Sequence, residues 1–187
     1  GLGHRGEELG RRGDAAGRVV QNVHFDSLSS TLLLQIAKVT PDLVIGKDVR
    51  LFMDVENAKD KRATDALRIE NVKGLKLRDI SVEWNEKEAE PAWQSALVLT
   101  QVRDFSVDTF VGRQGLKNKD IPGIVLENTS DGVIKNSSAS EGTTTFIHIK
   151  GAETKDIALN GNRTTKAKQP VTFENNNVKK AVSVDHS

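Results

Sequence analysis

Residues able to do chemistry are sparse in this chain, and they gather in a few places. Trp84 and Trp93 bracket the polar stretch 85–92, and exposed indoles can stack on the faces of sugar rings. A little further on, Arg113, Lys117 and Lys119 form a small cationic group able to meet carboxylates, Arg through a planar fork and Lys as a point charge. Glu86, Glu88, Glu90 and Asp120 lie near the same stretches. Nothing in their spacing pairs two of them as acid and base, and no Asp-Asp dipeptide occurs. The histidines, His4, His24, His148 and His186, are too dispersed for a zinc site. Cys is absent, which removes disulfides, iron–sulfur clusters and thiol nucleophiles. The residues themselves call for no metal and no cofactor.

Composition narrows the scaffold that must position these groups. The chain has 187 residues, 36% of them apolar, 28% charged and only 4% aromatic, with no Tyr. A large aromatic core is out of reach, so the interior must be built from stacked aliphatic side chains. A formal charge of +1 argues against a nucleic-acid partner, which selects a strongly basic face. No apolar run is long enough to cross a membrane as a helix, and the opening residues are too polar for a signal peptide.

The elements are set by a repeat. In 65–84 two short alternating runs, Leu67-x-Ile69 and Leu75-x-Leu77, flank a corner at Asn71. The phrase returns as Leu97-x-Leu99 with Phe105-x-Val107, as Ile124-x-Leu126 with Val133-Ile134, as Ile147-x-Ile149 with Ile157-x-Leu159, and as Val171-x-Phe173 with Val182-x-Val184. Earlier, Leu34-x-Ile36 with Leu43-x-Ile45 reads as another copy, and Val23-x-Phe25 as the back half of one more. Period-two alternation in both halves, filled with Val, Ile, Thr and Ser, predicts strands throughout and argues against a leucine-rich repeat, which gives half its period to a helix.

The expected fold is all-β: a single-stranded right-handed parallel β-helix of about six coils over 17–187, after an irregular segment at 1–16. Extra length falls at 52–64, 85–94 and 112–122, where loops can leave the coil without disturbing its register. Four inward columns are expected. Two are Leu34/Leu67/Leu97/Ile124/Ile147/Val171 and Ile36/Ile69/Leu99/Leu126/Ile149/Phe173. The others are Leu43/Leu75/Phe105/Ile157/Val182 and Ile45/Leu77/Val107/Ile134/Leu159/Val184. Members of a column lie about 4.8 Å apart, and burying each contributes about 1.5–3 kcal/mol. A corner column of Lys38, Asn71, Gln101, Asn128, Gly151 and Asn175 is expected to bend the chain and to stack side-chain amides. Asp26, Gly46, Arg78, Asp108, Lys135, Asn160 and Asp185 are expected to form an outward column.

The phrases Ile69-Glu70-Asn71-Val72-Lys73-Gly74-Leu75-Lys76-Leu77-Arg78-Asp79-Ile80 and Gly123-Ile124-Val125-Leu126-Glu127-Asn128-Thr129-Ser130-Asp131-Gly132-Val133-Ile134-Lys135-Asn136 resemble later coils of polygalacturonase-like glycoside hydrolases, family 28. The resemblance spans roughly 18–185, and pectate lyases and other polysaccharide-acting β-helices share such phrases. It implies an extracellular or periplasmic inverting hydrolase of galacturonan that uses three Asp, a His in a Gly-His-Gly element and an Arg-Ile-Lys element. Gly3-His4-Arg5-Gly6 resembles the histidine element and makes His4 the candidate catalytic histidine. Gln35-Ile36-Ala37 stands near the Arg-Ile-Lys position without its cations, and Asn128-Thr129-Ser130 departs from the family's Asn-Thr-Asp at its last residue. The catalytic Asp residues are then expected upstream of Gly1, and the chain alone is not expected to hydrolyse anything. Trp84, Trp93, Arg113 and Lys117 are the candidate substrate-binding residues, for a polysaccharide of acidic, galacturonan-like type. A non-catalytic carbohydrate-binding β-helix and a structural or adhesive solenoid are the alternatives.

Overall fold

A computed structural model describes residues 65–185, apart from 85 and 90, together with the backbone of four short strands before them. Those early strands are β1 (Val20–Asp26), β2 (Ser29–Ser30), β3 (Leu34–Ile36) and β4 (Val44–Ile45). There follow β5 (Leu67–Glu70), β6 (Val72–Val82), β7 (Leu97–Thr100), β8 (Arg103–Gly112), β9 (Pro122–Glu127), β10 (Ser130–Lys135) and β11 (Ser138–Ala139). The chain ends with β12 (Thr143–Lys150), β13 (Lys155–Asn160), β14 (Ala167–Phe173), a short helix α1 (Asn176–Lys180) and β15 (Val182–Asp185).

Every strand pairing is parallel. One sheet runs β3-β5-β7-β9-β12-β14, and the other runs β4-β1-β6-β8-β10-β13-β15, with β2 and β11 beside β6 and β8. Successive coils thus stack into a β-solenoid of about four turns, fewer than the six the repeats suggest. The first two inward columns appear in the register read from the sequence: Leu34, Leu67, Leu97, Ile124, Ile147 and Val171 are successive partners. Ile69, Leu97, Leu99, Ile124, Leu126, Ile147 and Ile149 are fully buried, so hydrophobic burial along one axis holds the coils together.

Two columns differ from expectation. Ile45 does not neighbour Leu77: β1 lies between them, with Phe25 paired to both. The physical reason is ladder length, since seven-residue β1 matches β6 from Val20 to Asp26, whereas β4 offers only two residues. Sequence order and stacking order therefore part at this end, and the early repeats do not add whole coils. Leu43, Lys38 and Gly46 lie outside the described residues. In the third column the place between Phe105 and Ile157 belongs to Gly132. A Cβ there would stand within the Phe105 ring, so the ring fills the volume that the glycine leaves.

The coil corners share one backbone device. Asn71, Gln101, Asn128 and Gly151 have φ of 57°, 52°, 51° and 97°, the left-handed region that Asn and Gly tolerate best. Their axial hydrogen bonds run from backbone N–H to the next coil's carbonyl, as from Asn71 to Thr100 and from Asn128 to Lys150, in place of the expected amide stack. Asn128 Oδ1 instead accepts from Glu153 N at 3.2 Å. Asn175 leaves the column altogether. It is extended, at φ −159°, and caps α1 by accepting from the backbone N–H of Asn177 and Val178. Val178 of that helix is buried in the core. Two further left-handed columns complete each coil: Gly74/Asp104/Asp131/Asp156 and Asp79/Thr109/Asn136/Gly161. The outward column pairs Asp26, Arg78, Asp108, Lys135, Asn160 and Asp185 in order, and Lys135 reaches Asp108 at 3.7 Å.

Candidate functional site: a loop wall with a lysine-lined cleft

Each coil returns to the first sheet through a connection at the same edge, so the connections 83–96, 113–121, 140–142 and 161–166 stack as the strands do. They are cross-linked into one wall. Trp84 and Trp93 meet there, ring centroids 5.0 Å apart and tilted by 41°. Trp93 is buried, and half-buried Trp84 packs on the core while its Nε1–H donates to Arg113 O at 2.9 Å. Gly115 is needed beneath them, because any Cβ would collide with Trp93. Its N–H donates to Gln94 O at 2.6 Å, tying the two connections together.

Arg113, read from sequence as part of a solvated group, is only 6% exposed. Its Nη1 donates to the carbonyls of Gln114 and Gly115 at 2.7 and 3.0 Å, and its Nη2 donates to Glu86 Oε1 at 2.9 Å. Burial pulls its pKa below the usual arginine value, and Glu86 works in the opposite direction. Lys117 Nζ reaches the same Glu86 oxygen at 2.7 Å. That hydrogen bond, with the charges of Lys117 and Arg113 behind it, holds the Glu86 carboxyl below the ordinary carboxylate range although the group is open to water.

Gln114 links this wall to the next coil. Fully buried, it donates through Nε2 to Leu116 O and Gly142 O at 3.1 and 2.8 Å, and its Oε1 accepts from Thr144 N at 3.3 Å. A buried amide satisfied on both sides holds two loops in a fixed relation. Where these loops meet the start of β14, an open cleft of about 410 Å³ is lined by Lys117, Asn118, Glu141, Gly142, Thr143, Lys166 and Lys168. Lys166 and Lys168 were not singled out from the sequence. Their convergence with Lys117 on one edge is visible only once the coils are stacked.

A second, larger concavity of about 680 Å³ runs along the outer face of the other sheet. Lys76, Ser106 and Val133 lie along it, with Asp104, Asp131 and Asp156 at one side. These carboxylates occupy adjacent coils in the left-handed column. Among the described residues no group of His, Cys, Asp and Glu has the arrangement of a metal site.

His148 takes its expected outward strand position, but it is half-buried and its Nδ1 lies 2.8 Å from Thr172 Oγ1. His4 and His186 lie outside the described residues, as does the side chain of His24. Among the sequence candidates, the fold brings Trp84, Trp93, Arg113 and Lys117 onto one wall. With fold and wall in view, the chain is a parallel β-solenoid carrying loop-built surface chemistry. No family model, curated protein or solved structure matches it closely enough to place it in a family.

Proposed function

We propose that this chain is a portion or divergent member of a polygalacturonase-like β-helix protein and that its loop wall binds an acidic, pectin-type polysaccharide. One observation carries the reading: Lys117 on the 113–121 connection, Lys166 on the 161–166 connection and Lys168 at the start of β14 converge on a single cleft. Among the described residues, Lys166 and Lys168 have no ion-pair partner, so their charge is available to a ligand. A uronate chain presents a carboxylate on every sugar, which suits several cations gathered in one cleft. The cross-linked wall adds preorganisation, which reduces the ordering cost of binding.

The assignment is binding, without hydrolysis by these residues. An inverting glycosidase needs one carboxyl kept protonated to assist the leaving oxygen. Glu86, held ionised by Lys117 and Arg113, is unsuited to that role. Trp84 and Trp93 act in this reading as the clamp that sets the wall, with the half-buried Trp84 the indole nearer to a ligand.

Calorimetric titration with polygalacturonate and with a neutral galactan tests the proposal, together with assay of released reducing ends. The expected result is salt-sensitive binding to polygalacturonate alone, weakened about ten-fold in a Lys166→Ala, Lys168→Ala double variant at low ionic strength, and no release of reducing ends. Equal affinity for the neutral polymer, or no binding to either, contradicts it. The second result is what a purely structural solenoid predicts.

A further inference from the structure

We infer that Arg113 and Lys117 form a carboxylate receptor that Glu86 fills from within the chain, so that an acidic ligand gains it by displacing Glu86. The inference rests on the cleft being a uronate-binding site, and it adds a self-occupied position to that site.

The geometry is asymmetric in a telling way. A single oxygen, Glu86 Oε1, accepts from Arg113 Nη2 at 2.9 Å and from Lys117 Nζ at 2.7 Å, which is how a ligand carboxylate would be held. The receptor side is fixed independently of Glu86. The Arg113 guanidinium is clamped by the Gln114 and Gly115 carbonyls, and the Arg113 backbone is held by Trp84 Nε1–H. The occupying side is loosely placed, because the Glu86 side chain is 55% exposed and stands on a single 3₁₀ turn, Glu86–Glu88. A buried, oriented cation facing an exposed, replaceable anion is built for exchange.

Lys117 belongs to both arrangements. It completes the receptor and also lines the cleft with Lys166 and Lys168, so a polyanion seated on those lysines brings further carboxylates up to the position Glu86 holds. Glu86 and Lys117 are about half exposed while the Arg113 guanidinium keeps its two carbonyl partners, so an incoming carboxylate exchanges like for like and releasing Glu86 should change ligand affinity by roughly 2–5-fold. Glu86 would then tune the site toward ligands with several carboxylates, since a lone carboxylate must compete with one already in place.

The test is titration of a tri-galacturonate into the wild type, Glu86→Gln, Glu86→Gln with Lys117→Met, and Lys166→Ala with Lys168→Ala. Thermal unfolding checks each variant's fold. The expected result is binding roughly 2–5-fold tighter in Glu86→Gln, with the gain lost when Lys117→Met is added. Unchanged or weaker binding in folded Glu86→Gln, with affinity still lost in the Lys166→Ala, Lys168→Ala variant, overturns the receptor and leaves the cleft reading standing. No binding to either the wild type or Glu86→Gln overturns both. Should Glu86→Gln fail to fold, the Arg113 guanidinium nitrogen resonances of the wild type decide: they shift as tri-galacturonate replaces Glu86, and resonances unmoved at saturation overturn the inference.

Discussion

Asp104, Asp131 and Asp156 on one face form a row of like charge on successive coils, Lys117, Lys166 and Lys168 at the loop edge form a cluster of like charge drawn from two coils, and the two arise for different reasons. The aspartates sit where each coil needs a left-handed backbone, with φ of 52–54° in register with Gly74 at 79°. Asp, Asn and Gly meet that need at lowest cost, so the acidic row is explained by conformation before any ligand is considered. Arg103 and Lys155 precede Asp104 and Asp156, Lys73 precedes Gly74, and Ser130 precedes Asp131, so cations also stand beside this row. Lys117 and Lys166, in contrast, stand on connections of unequal length that no stacking rule constrains, and Lys168 follows at the start of β14. A row imposed by the fold says little about function. A cluster that the fold does not impose and that still converges on one cleft says more.

The largest effect is expected in the coils. Gly132→Ala drives a methyl group into the Phe105 ring, and overpacking of this kind costs about 1–3 kcal/mol. Denaturant unfolding should show that loss and its partial recovery in Gly132→Ala with Phe105→Leu. Additive effects in the double variant would show that the ring does not fill the glycine's place. On the wall, Gln114→Ala takes from Thr144 N its side-chain acceptor and from Gly142 O one of two donors, Asn118 N–H remaining, a cost of about 1–2 kcal/mol. Unlike the coil variant, it should also weaken polygalacturonate binding, which calorimetry would detect.

A smaller effect is expected from pH. Burial, then the charge of Lys150, lowers the His148 pKa below 6.5, while Glu174 opposes them. The folded state therefore binds this proton less readily than the unfolded chain. Stability should fall as pH drops through the window just below 6.5 and should not depend on His148 above it. Melting temperatures of the wild type and His148→Asn across that window would show it, and parallel curves would contradict it. Smallest of all, Asp131→Asn keeps a residue suited to φ 53° and removes a charge from the acidic row. Stability within about 0.5 kcal/mol of wild type and unaltered polygalacturonate affinity are expected. A marked loss of affinity would move the binding face from the loops to the trough.

Much of the fold was legible because strand periodicity is strict. Leu67-x-Ile69 and its repeats had one consistent register, and Asn71 and Asn128 announced their corners. The order of β4 and β1 was not legible, since Val23-x-Phe25 and Leu43-x-Ile45 carry the same alternation and only ladder length separates them. Gly132 was invisible as a core position until Phe105 was placed beside it. At the candidate site the residue types were readable, but their environments were not. Arg113 reads as a solvated loop cation, and only the approach of the Gln114 and Gly115 carbonyls buries it. Lys166 and Lys168 acquire meaning by standing over Lys117, a relation that exists in the stack and not along the chain.

The most direct test of where this molecule meets its ligand is a map of backbone amide resonances during titration with tri-galacturonate. The account predicts shifts concentrated at Lys117, Gly142, Thr143, Lys166 and Lys168. Shifts gathered instead at Asp104, Asp131 and Asp156, or none at saturating ligand, would contradict it.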